Sequence, residues 1–156
     1  MDDALDMVEN GAGLALVPDR ECGNCTVCCV ALRVDDPGLK KPAGEPCRHL
    51  GQQGCTIYQT RYAICRSWMC GWRLQPELDD SWRPDRSGVL LIPEPNTKPG
   101  YAALGYKVQL ASRTALASPE VLNKLCGYIA AATPLWLSLA GVPTKVFLNP
   151  ELGPLI

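Results

Sequence analysis

Cysteines are concentrated in one part of this chain far beyond what a hydrophobic core requires. Four fall within the run C-G-N-C-T-V-C-C, at Cys22, Cys25, Cys28 and Cys29. Four more follow at Cys47, Cys55, Cys65 and Cys70, and the ninth is Cys126. Thiolates are strong ligands for soft or borderline metal ions, and a two-residue spacer brings two sulfurs round one centre. The spacing therefore predicts that this part of the chain folds around metal.

Disulfide bonds are the alternative way to hold so many cysteines. Residues 1–17 contain four acidic side chains and no lysine or arginine, which does not resemble a secretory signal. A reducing cytoplasm is then the expected compartment, and structural disulfides are rare there. Nine is also an odd number, and the adjacent Cys28 and Cys29 could not bond to each other without strain. These observations favour metal and a cytoplasmic location.

Composition limits the other function classes. With 156 residues, of which 47% are hydrophobic, the chain can build one core with a small metal-stapled lobe attached. The net charge of −1 does not favour a polyanionic partner, and the aromatic residues form no stacking platform, so we do not expect nucleic-acid binding. The longest apolar runs are too short to span a membrane.

Three segments follow from the distribution of residue types. Residues 1–20 read as an acidic lead that is weakly helical or has no fixed structure. Residues 21–75 form the cysteine lobe, where little regular structure is expected because metal coordination replaces a core. A short helix near residues 57–64, leading to Cys65, is the exception. Residues 76–156 read as a small α+β unit packed on the lobe.

The carboxy-terminal unit has clear local signals. Segments 89–92 and 101–110 read as strands, and segments 135–139 and 145–148 as a strand pair. Between them, Ser118 and Pro119 predict a helix start. Its apolar stripe makes Cys126 a buried small hydrophobe and comprises Val121, Leu122, Leu125, Cys126 and Ile129. The predicted fold class is therefore α+β, with an irregular metal-binding lobe followed by a strand-strand-helix-strand-strand unit.

Four blocks of the cysteine lobe together resemble a known family. They are C-x-x-C-x-x-C-C at 22–29, P-C-R-H-L at 46–50, G-C-T-I-Y at 54–58, and Arg61 with Cys65-Arg66. In this order they resemble the bacterial YkgJ-like cysteine-cluster family, also called CxxCxxCC and described as a zinc- or iron-chelating domain. The resemblance covers about a third of the chain, residues 21–72. Tyr62 stands where the family usually has proline, which should alter a turn rather than remove a ligand.

The resemblance implies a metal site and does not specify a substrate. Most members of the family have no assigned reaction. A similar cysteine motif within a larger flagellin lysine methylase is associated with an iron–sulfur cluster. Zinc and a 4Fe–4S cluster therefore both stay open as the bound group.

The eight cysteines can be shared between one or two centres. Zinc takes four thiolates, and a cubane cluster also takes four. One partition gives Cys22, Cys25 and Cys28 to a first site that a remote cysteine completes. Cys29 would then join a second site with Cys47, Cys55 or Cys70. Two zinc ions on eight thiolates fit the count equally well, and His49 is a less favoured substitute for a sulfur.

Four arginines lie beside the cysteines in the sequence and could offset the negative charge of thiolates: Arg48, Arg61, Arg66 and Arg73. We predict that Arg61 and Arg66 donate to the sulfurs without binding metal themselves. Solvated surface arginines are the alternative. Trp68, Trp72 and Trp82 could shield a metal centre from water or simply pack the lobe.

Two function classes remain after these exclusions. The first is a metal-binding protein whose lobe is structural, handles metal or contacts a protein partner. The second is an iron–sulfur-dependent redox or group-transfer enzyme component. The chain has a single histidine, His49, which leaves little room for a histidine-based nucleophile relay. The sequence does not decide whether the chain is an enzyme.

Overall fold

The computed structural model describes residues 15–139 and 145–156. The fold is α+β, as the sequence predicts, and combines short helices, two small hairpins and a four-stranded mixed sheet. The helices of the described residues are α1 (Val27–Ala31), α2 (Ala63–Ser67), α3 (Gly71–Leu74), α4 (Pro84–Ser87), α5 (Pro119–Ala130) and α6 (Asn149–Leu152). The strands are β1 (Val34–Asp36), β2 (Leu39–Lys41), β3 (Leu50–Gly51), β4 (Gly54–Cys55), β5 (Val89–Pro95), β6 (Leu104–Leu110), β7 (Leu135–Leu139) and β8 (Val146–Phe147).

The four-stranded sheet has the order β5-β6-β7-β8. Strands β5 and β6 are antiparallel, with Leu91 opposite Val108, and β7 and β8 are antiparallel, with Trp136 opposite Phe147. The two pairs meet where β6 runs parallel to β7. Parallel neighbours need a crossover connection, and α5 supplies it. The predicted order of strand, strand, helix, strand, strand is therefore confirmed.

Helix α5 begins where its capping residues predict. The Ser118 side chain accepts a hydrogen bond from the backbone N–H of Val121 at 3.4 Å, and Pro119 occupies the first turn. The side chains that it buries, Val121, Leu125 and Ile129, recur every four residues. The prediction that Cys126 is buried is wrong, because Cys126 is exposed and Leu122 is 43% exposed. Both follow a buried position by one residue and so lie about 100° further round the helix.

The cysteine lobe consists of short elements joined by turns. Strands β1 and β2 form one hairpin and β3 and β4 another. The helix predicted near residues 57–64 is broken into a 3₁₀ turn at Tyr58–Thr60 and helix α2, which contains Cys65. Arg61 and Tyr62 lie between them with extended backbone (ψ of 150° and 152°).

One hydrophobic core joins the lobe to the sheet. It includes Ala31 and Trp72 from the lobe, Val108 and Leu135 from the sheet, and Leu125 from α5. The buried Gln109 side chain on β6 also donates a hydrogen bond to the carbonyl of Ala31 at 2.8 Å. The lobe is thus held directly against the sheet.

Two predictions concern residues at the edges of the described part. The acidic lead falls mostly on residues 1–14, which lie outside it, as does the connection between segments 135–139 and 145–148. Residues 15–20 form no helix, and Arg20 donates to the backbone carbonyls of Trp72, Gln75 and Leu78. Within the described residues, the helices are all too short or too polar to cross a membrane.

Candidate metal centre

A single cavity of about 860 Å³ lies between the cysteine lobe and one face of the sheet. All eight cysteines predicted as ligands line it: Cys22, Cys25, Cys28, Cys29, Cys47, Cys55, Cys65 and Cys70. Cys126 is the one cysteine that does not. The sheet contributes Leu90, Ile92, Lys107, Gln109 and Ser138 to the opposite wall. Thiols that are up to 48 positions apart in the sequence therefore share one space.

Local structure in the first cysteine block brings its thiols to the cavity. A tight turn places Cys22 and Cys25 together, with the Cys25 N–H donating to the Cys22 carbonyl at 2.8 Å. Helix α1 begins two residues later and contains both Cys28 and Cys29. Successive residues of a helix project about 100° apart, yet the side chains of Cys28 and Cys29 stay close enough to interact.

The other four cysteines come from separate elements. Cys47 follows β2, Cys55 ends β4, Cys65 lies on α2, and Cys70 immediately precedes α3. The Cys47 N–H donates to the carbonyl of Cys29 at 2.9 Å, which ties the second block to helix α1. Cys55 lies opposite Leu50 in the β3–β4 hairpin.

All nine cysteines belong to the described part of the chain, and all nine are free thiols. No two cysteines are therefore joined by a disulfide bond in this fold.

Backbone N–H groups face several of the sulfurs. Burial raises the pKa of Cys25, and the N–H groups of Val27 and Asp85 offset part of that rise. Burial also raises the pKa of Cys70 to about 11, against hydrogen bonds from the N–H groups of Arg73 and Trp72. Donors aimed at a sulfur favour its thiolate form, which is the form that binds metal. These N–H groups offset only part of the effect of burial and of the neighbouring negative charges, which include Asp85 beside Cys25.

Cys28 and Cys29 interact with each other through their side chains. The hydrogen bond between them and burial raise the pKa of Cys28, while the same hydrogen bond lowers the pKa of Cys29 to about 7. The positive charges of Lys41 and Arg61 lower the pKa of Cys29 further. Cys29 is therefore the thiol of this block that most readily becomes a thiolate.

Arg73 is a buried cation beside the cavity. Its side chain is 8% exposed, and Nη1 donates to the sulfur of Cys22 at 3.3 Å. Its Nε is buried and has no hydrogen-bond partner. Among the described residues, no carboxylate lies within ion-pair distance of Arg73. The thiol of Cys22 and the phenol of Tyr58 are the groups that act on its charge.

Lys41 is a second buried cation, at 7% exposure. Its Nζ donates to the carbonyls of Val30, Leu32 and Pro42 and faces the thiols of Cys47 and Cys29. Burial lowers the pKa of Lys41, and the neighbouring thiols counteract this. Sequence reasoning missed Lys41, because β2 was not predicted. In that strand the period of two puts Lys41 on the same side as the buried Leu39.

The two arginines predicted to support the thiols have different positions. Arg61 lines the cavity, donates from Nε to the carbonyl of Tyr58 at 2.9 Å, and lowers the pKa of Cys29 by its charge. Arg66 is exposed and does not line the cavity. Helix α2 turns Arg66 to solvent, and Arg73 takes the position beside the sulfurs that Arg66 was expected to fill.

The cavity wall is rich in cations. It includes Arg33, Lys41, Arg61, Arg73, Arg83 and Lys107. Throughout the described residues, no aspartate or glutamate lines it. Arg83 and Arg33 are partly neutralised, because they pair with Asp85 and Asp35 just outside the wall. The cavity is therefore built to hold negative charge.

His49 and the aromatic side chains line part of the same wall. The His49 Nε2 lies 3.1 Å from the hydroxyl of Tyr62 and 3.2 Å from Nε of Arg48, so protein groups already engage it. Trp68 and Trp72 line the cavity, whereas Trp82 packs in the core.

The thiols surround the cavity without yet meeting at one point. In residues 15–139 and 145–156, no three cysteine, histidine or carboxylate side chains converge closely enough to coordinate one ion. The donor set nevertheless fits a metal centre in kind, because eight thiols, sulfur-directed N–H groups and an unpartnered Arg73 Nε share the wall. Coordination would require the sulfurs to rotate inward from the wall.

Comparison of the chain with protein-family models, with curated proteins and with solved structures gives no match. The resemblance to the CxxCxxCC family consequently rests on the four cysteine blocks alone and stays a prediction.

Proposed function

We propose that this chain is a metal-binding protein that coordinates zinc or an iron–sulfur cluster through the thiolates of the cavity. The observation that supports this most directly is the burial of Arg73 and Lys41 beside thiols, with no carboxylate on the cavity wall of the described residues.

The charge of these buried cations requires an anion. Leaving one ion of a buried pair without its partner typically costs about 3–5 kcal/mol. Protonated thiols are neutral and cannot offset Arg73, whereas Cys29, whose pKa is lowered to about 7, partly offsets Lys41. Burial disfavours spontaneous ionisation, as the raised pKa values of Cys25, Cys65 and Cys70 indicate. A bound metal changes this balance, because it displaces the thiol protons.

The resulting charge matches the cavity. A divalent zinc ion with four thiolates has a net charge of about −2, and an oxidised cubane cluster with four thiolates has the same charge. Such a centre would give Arg73 a counter-charge and would add to the charge that Glu45 already places near Lys41. Arg61, which lines the cavity and acts on Cys29, would contribute to the same neutralisation.

Zinc would supply folding free energy to a lobe whose own helices are only four or five residues long. An iron–sulfur cluster would supply one-electron chemistry, and Trp68 and Trp72 would limit its access to water. The second candidate function, an iron–sulfur-dependent redox or group-transfer component, follows if the cluster is native. Free thiols in such number suit a cytoplasmic location, which we include in the proposal.

Elemental and optical analysis of protein purified without oxygen tests the proposal. Stoichiometric zinc in a colourless sample supports the first function. A brown sample whose broad visible band bleaches with dithionite supports the second. Cys25→Ser should lower metal content and the melting temperature, whereas Cys126→Ser, an exposed cysteine outside the cavity, should change neither. Wild-type protein that binds neither zinc nor iron under these conditions would refute the proposal.

A further inference from the structure

We infer that the sheet wall of the cavity binds the carboxylate of a small organic acid, with Lys107 as its counter-ion. The sheet wall is the set of side chains that the four-stranded sheet contributes to the cavity: Leu90, Ile92, Lys107, Gln109 and Ser138. This inference goes beyond the proposed metal binding, because none of these five residues is a ligand in that proposal.

The size of the cavity is that of a small-molecule site. Pockets that bind small organic molecules have volumes of about 300–1,000 Å³, and this cavity has about 860 Å³. A structural metal site, by contrast, is closed by its own ligands and needs no such space. The thiols all come from the cysteine lobe, and the sheet wall contains none. The cavity therefore has room for an organic molecule on its sheet side.

The register of the strands places the sheet wall on one face of the sheet. Ile92 lies opposite Lys107, and Leu90 lies opposite Gln109, in the antiparallel pair of β5 and β6. Ser138 on β7 lies beside Gln109 in the parallel pair. Because paired residues of neighbouring strands point to the same face, these side chains form one continuous surface. Its centre is apolar, and its polar groups lie along β6 and β7.

Lys107 differs from the other cations of the cavity wall. Five of the six have a carboxylate, a thiol or a backbone carbonyl as partner: Arg33, Lys41, Arg61, Arg73 and Arg83. Within residues 15–139 and 145–156, the half-buried Lys107 makes no ion pair and no side-chain hydrogen bond. Glu94, two residues beyond Ile92 on β5, is paired with Lys145 instead. The ammonium group of Lys107 is thus available to an anion in the cavity.

Gln109 and Ser138 supply further polar groups beside Lys107. The Gln109 side chain is fixed by its 2.8 Å hydrogen bond from Nε2 to the carbonyl of Ala31, and its Oε1 accepts no hydrogen bond from the described residues. Residues two apart on a strand are about 6.6 Å apart, so Lys107 and Gln109 would contact different groups of one molecule. The surface therefore fits an acid with an apolar body and a hydroxyl or amino group.

Charge favours a carboxylate over a phosphate. A carboxylate has one negative charge, which a single ammonium group balances. A phosphate ester has a charge of about −1.5 to −2 at pH 7, and the sheet wall contains only one cation. The cavity cations other than Lys107 have the partners described above.

A titration with 4-fluoromandelate, followed by fluorine-19 nuclear magnetic resonance, tests the inference. This probe combines a carboxylate, a hydroxyl group and an apolar ring. It should bind wild-type protein saturably, and its uncharged amide should bind at least about tenfold more weakly, because it loses the charge-assisted contact with Lys107. Nuclear Overhauser contacts from the ring to the methyl groups of Leu90 and Ile92 should locate it at the sheet wall. No saturable binding, or equal binding of acid and amide, would overturn the inference even if every variant failed to fold.

Variants test the role of Lys107 itself. Lys107→Met should weaken binding of the acid by at least about tenfold, and Ser138→Ala by about fivefold. Lys107→Arg, which keeps the charge, should retain most of the affinity. Lys98→Met is the matched control, because Lys98 is exposed and lies outside the cavity. Unchanged affinity in Lys107→Met would overturn the assignment of Lys107, and tighter binding of 4-fluorophenyl phosphate than of the acid would overturn the choice of a carboxylate.

Metal analysis of the same samples separates this inference from the proposed function. Lys107→Met should contain as much zinc or iron as the wild type, because Lys107 contacts no thiol among the described residues. Wild-type protein that holds metal but does not bind the acid would overturn the carboxylate site alone. Wild-type protein that binds the acid but holds neither zinc nor iron would refute the metal-binding proposal and support the carboxylate site.

Discussion

Arg73 donates a hydrogen bond from Nη1 to the sulfur of Cys22 across 3.3 Å and 51 positions of the chain. This contact joins the first turn of the cysteine lobe to α3, which in turn packs against strand β5 of the sheet. Because Arg73 is buried without a carboxylate among the described residues, the strength of the contact depends on the charge of the sulfur. The state of the metal centre and the attachment of the lobe are therefore linked.

Replacing Arg73 with methionine should have opposite effects with and without metal. In the metal-loaded protein, Arg73→Met removes a charge-assisted hydrogen bond to a thiolate and should lower the free energy of unfolding by about 2 kcal/mol. In the metal-free protein it removes an unbalanced buried cation and should leave stability unchanged or higher. Urea unfolding, with and without prior chelation, measures both values.

Arg66→Met is the matched control for this variant, because Arg66 is exposed and lies outside the cavity. It should shift neither value by more than about 0.5 kcal/mol. An equal loss of stability for Arg73→Met in both metal states would contradict a role for Arg73 in balancing thiolate charge.

Lys41→Met should behave differently, because Lys41 also satisfies backbone groups. Its Nζ donates to the carbonyls of Val30, Leu32 and Pro42, which flank the end of α1. Removing a charged donor from these part-buried carbonyls should cost about 2 kcal/mol in the metal-free protein and at least as much in the metal-loaded one. Lys40→Met, one residue away on the exposed side of β2, should change the free energy of unfolding little. A Lys41→Met protein as stable as the wild type would show that water replaces the amine.

Elements with local signals could be predicted from the sequence. Ser118 and Pro119 determine the start of α5 by capping chemistry. The short apolar run 89–92, bounded by Gly88 and Pro93, forms the first part of strand β5. The α+β order of the carboxy-terminal unit followed from these signals. On α5 the predicted apolar stripe was too wide. The helix buries only the row Val121, Leu125 and Ile129, and Cys126 lies outside that row.

The site could be predicted in composition and only partly in arrangement. The spacing of the first block indicated metal ligands. Which distant cysteine joins that block depends on how the loops close, and local spacing does not specify this. Choosing Arg66 over Arg73 failed for a similar reason. Arg66 directly follows Cys65, whereas Arg73 comes three residues after Cys70. Only the short, fully buried helix α3 turns its arginine inward.

Gly54→Ala should disrupt the contact between the two halves of the lobe. Alanine at φ of +113° is strained, and its Cβ would lie 2.7 Å from the carbonyl oxygen of Gly23. We expect a loss of about 2–4 kcal/mol and a lower metal content, measured by unfolding and elemental analysis.

Gly100→Ala separates the two causes, because Gly100 also has positive φ (+85°) but open space around it. It should lose only the conformational part, about 1 kcal/mol, and keep its metal. Equal losses for the two variants would show that backbone strain alone, and not the approach of the two loops, explains the effect of Gly54→Ala.

Tyr128→Phe should remove part of the protein's loss of stability in alkali. Burial, with the charge of Glu77 adding to it, raises the pKa of Tyr128 to about 12, above the value of about 10 for an exposed tyrosine. Between these two values the unfolded chain binds fewer protons at this residue than the folded protein, so stability contributed by the neutral phenol is complete below pH 10 and is lost as pH rises towards 12. Phenylalanine cannot ionise, so the variant should differ from the wild type by a constant amount below pH 10. Urea unfolding between pH 7 and 12 should show the stability of Tyr128→Phe rising relative to the wild type only above pH 10, and a difference that is constant with pH would contradict the shifted ionisation.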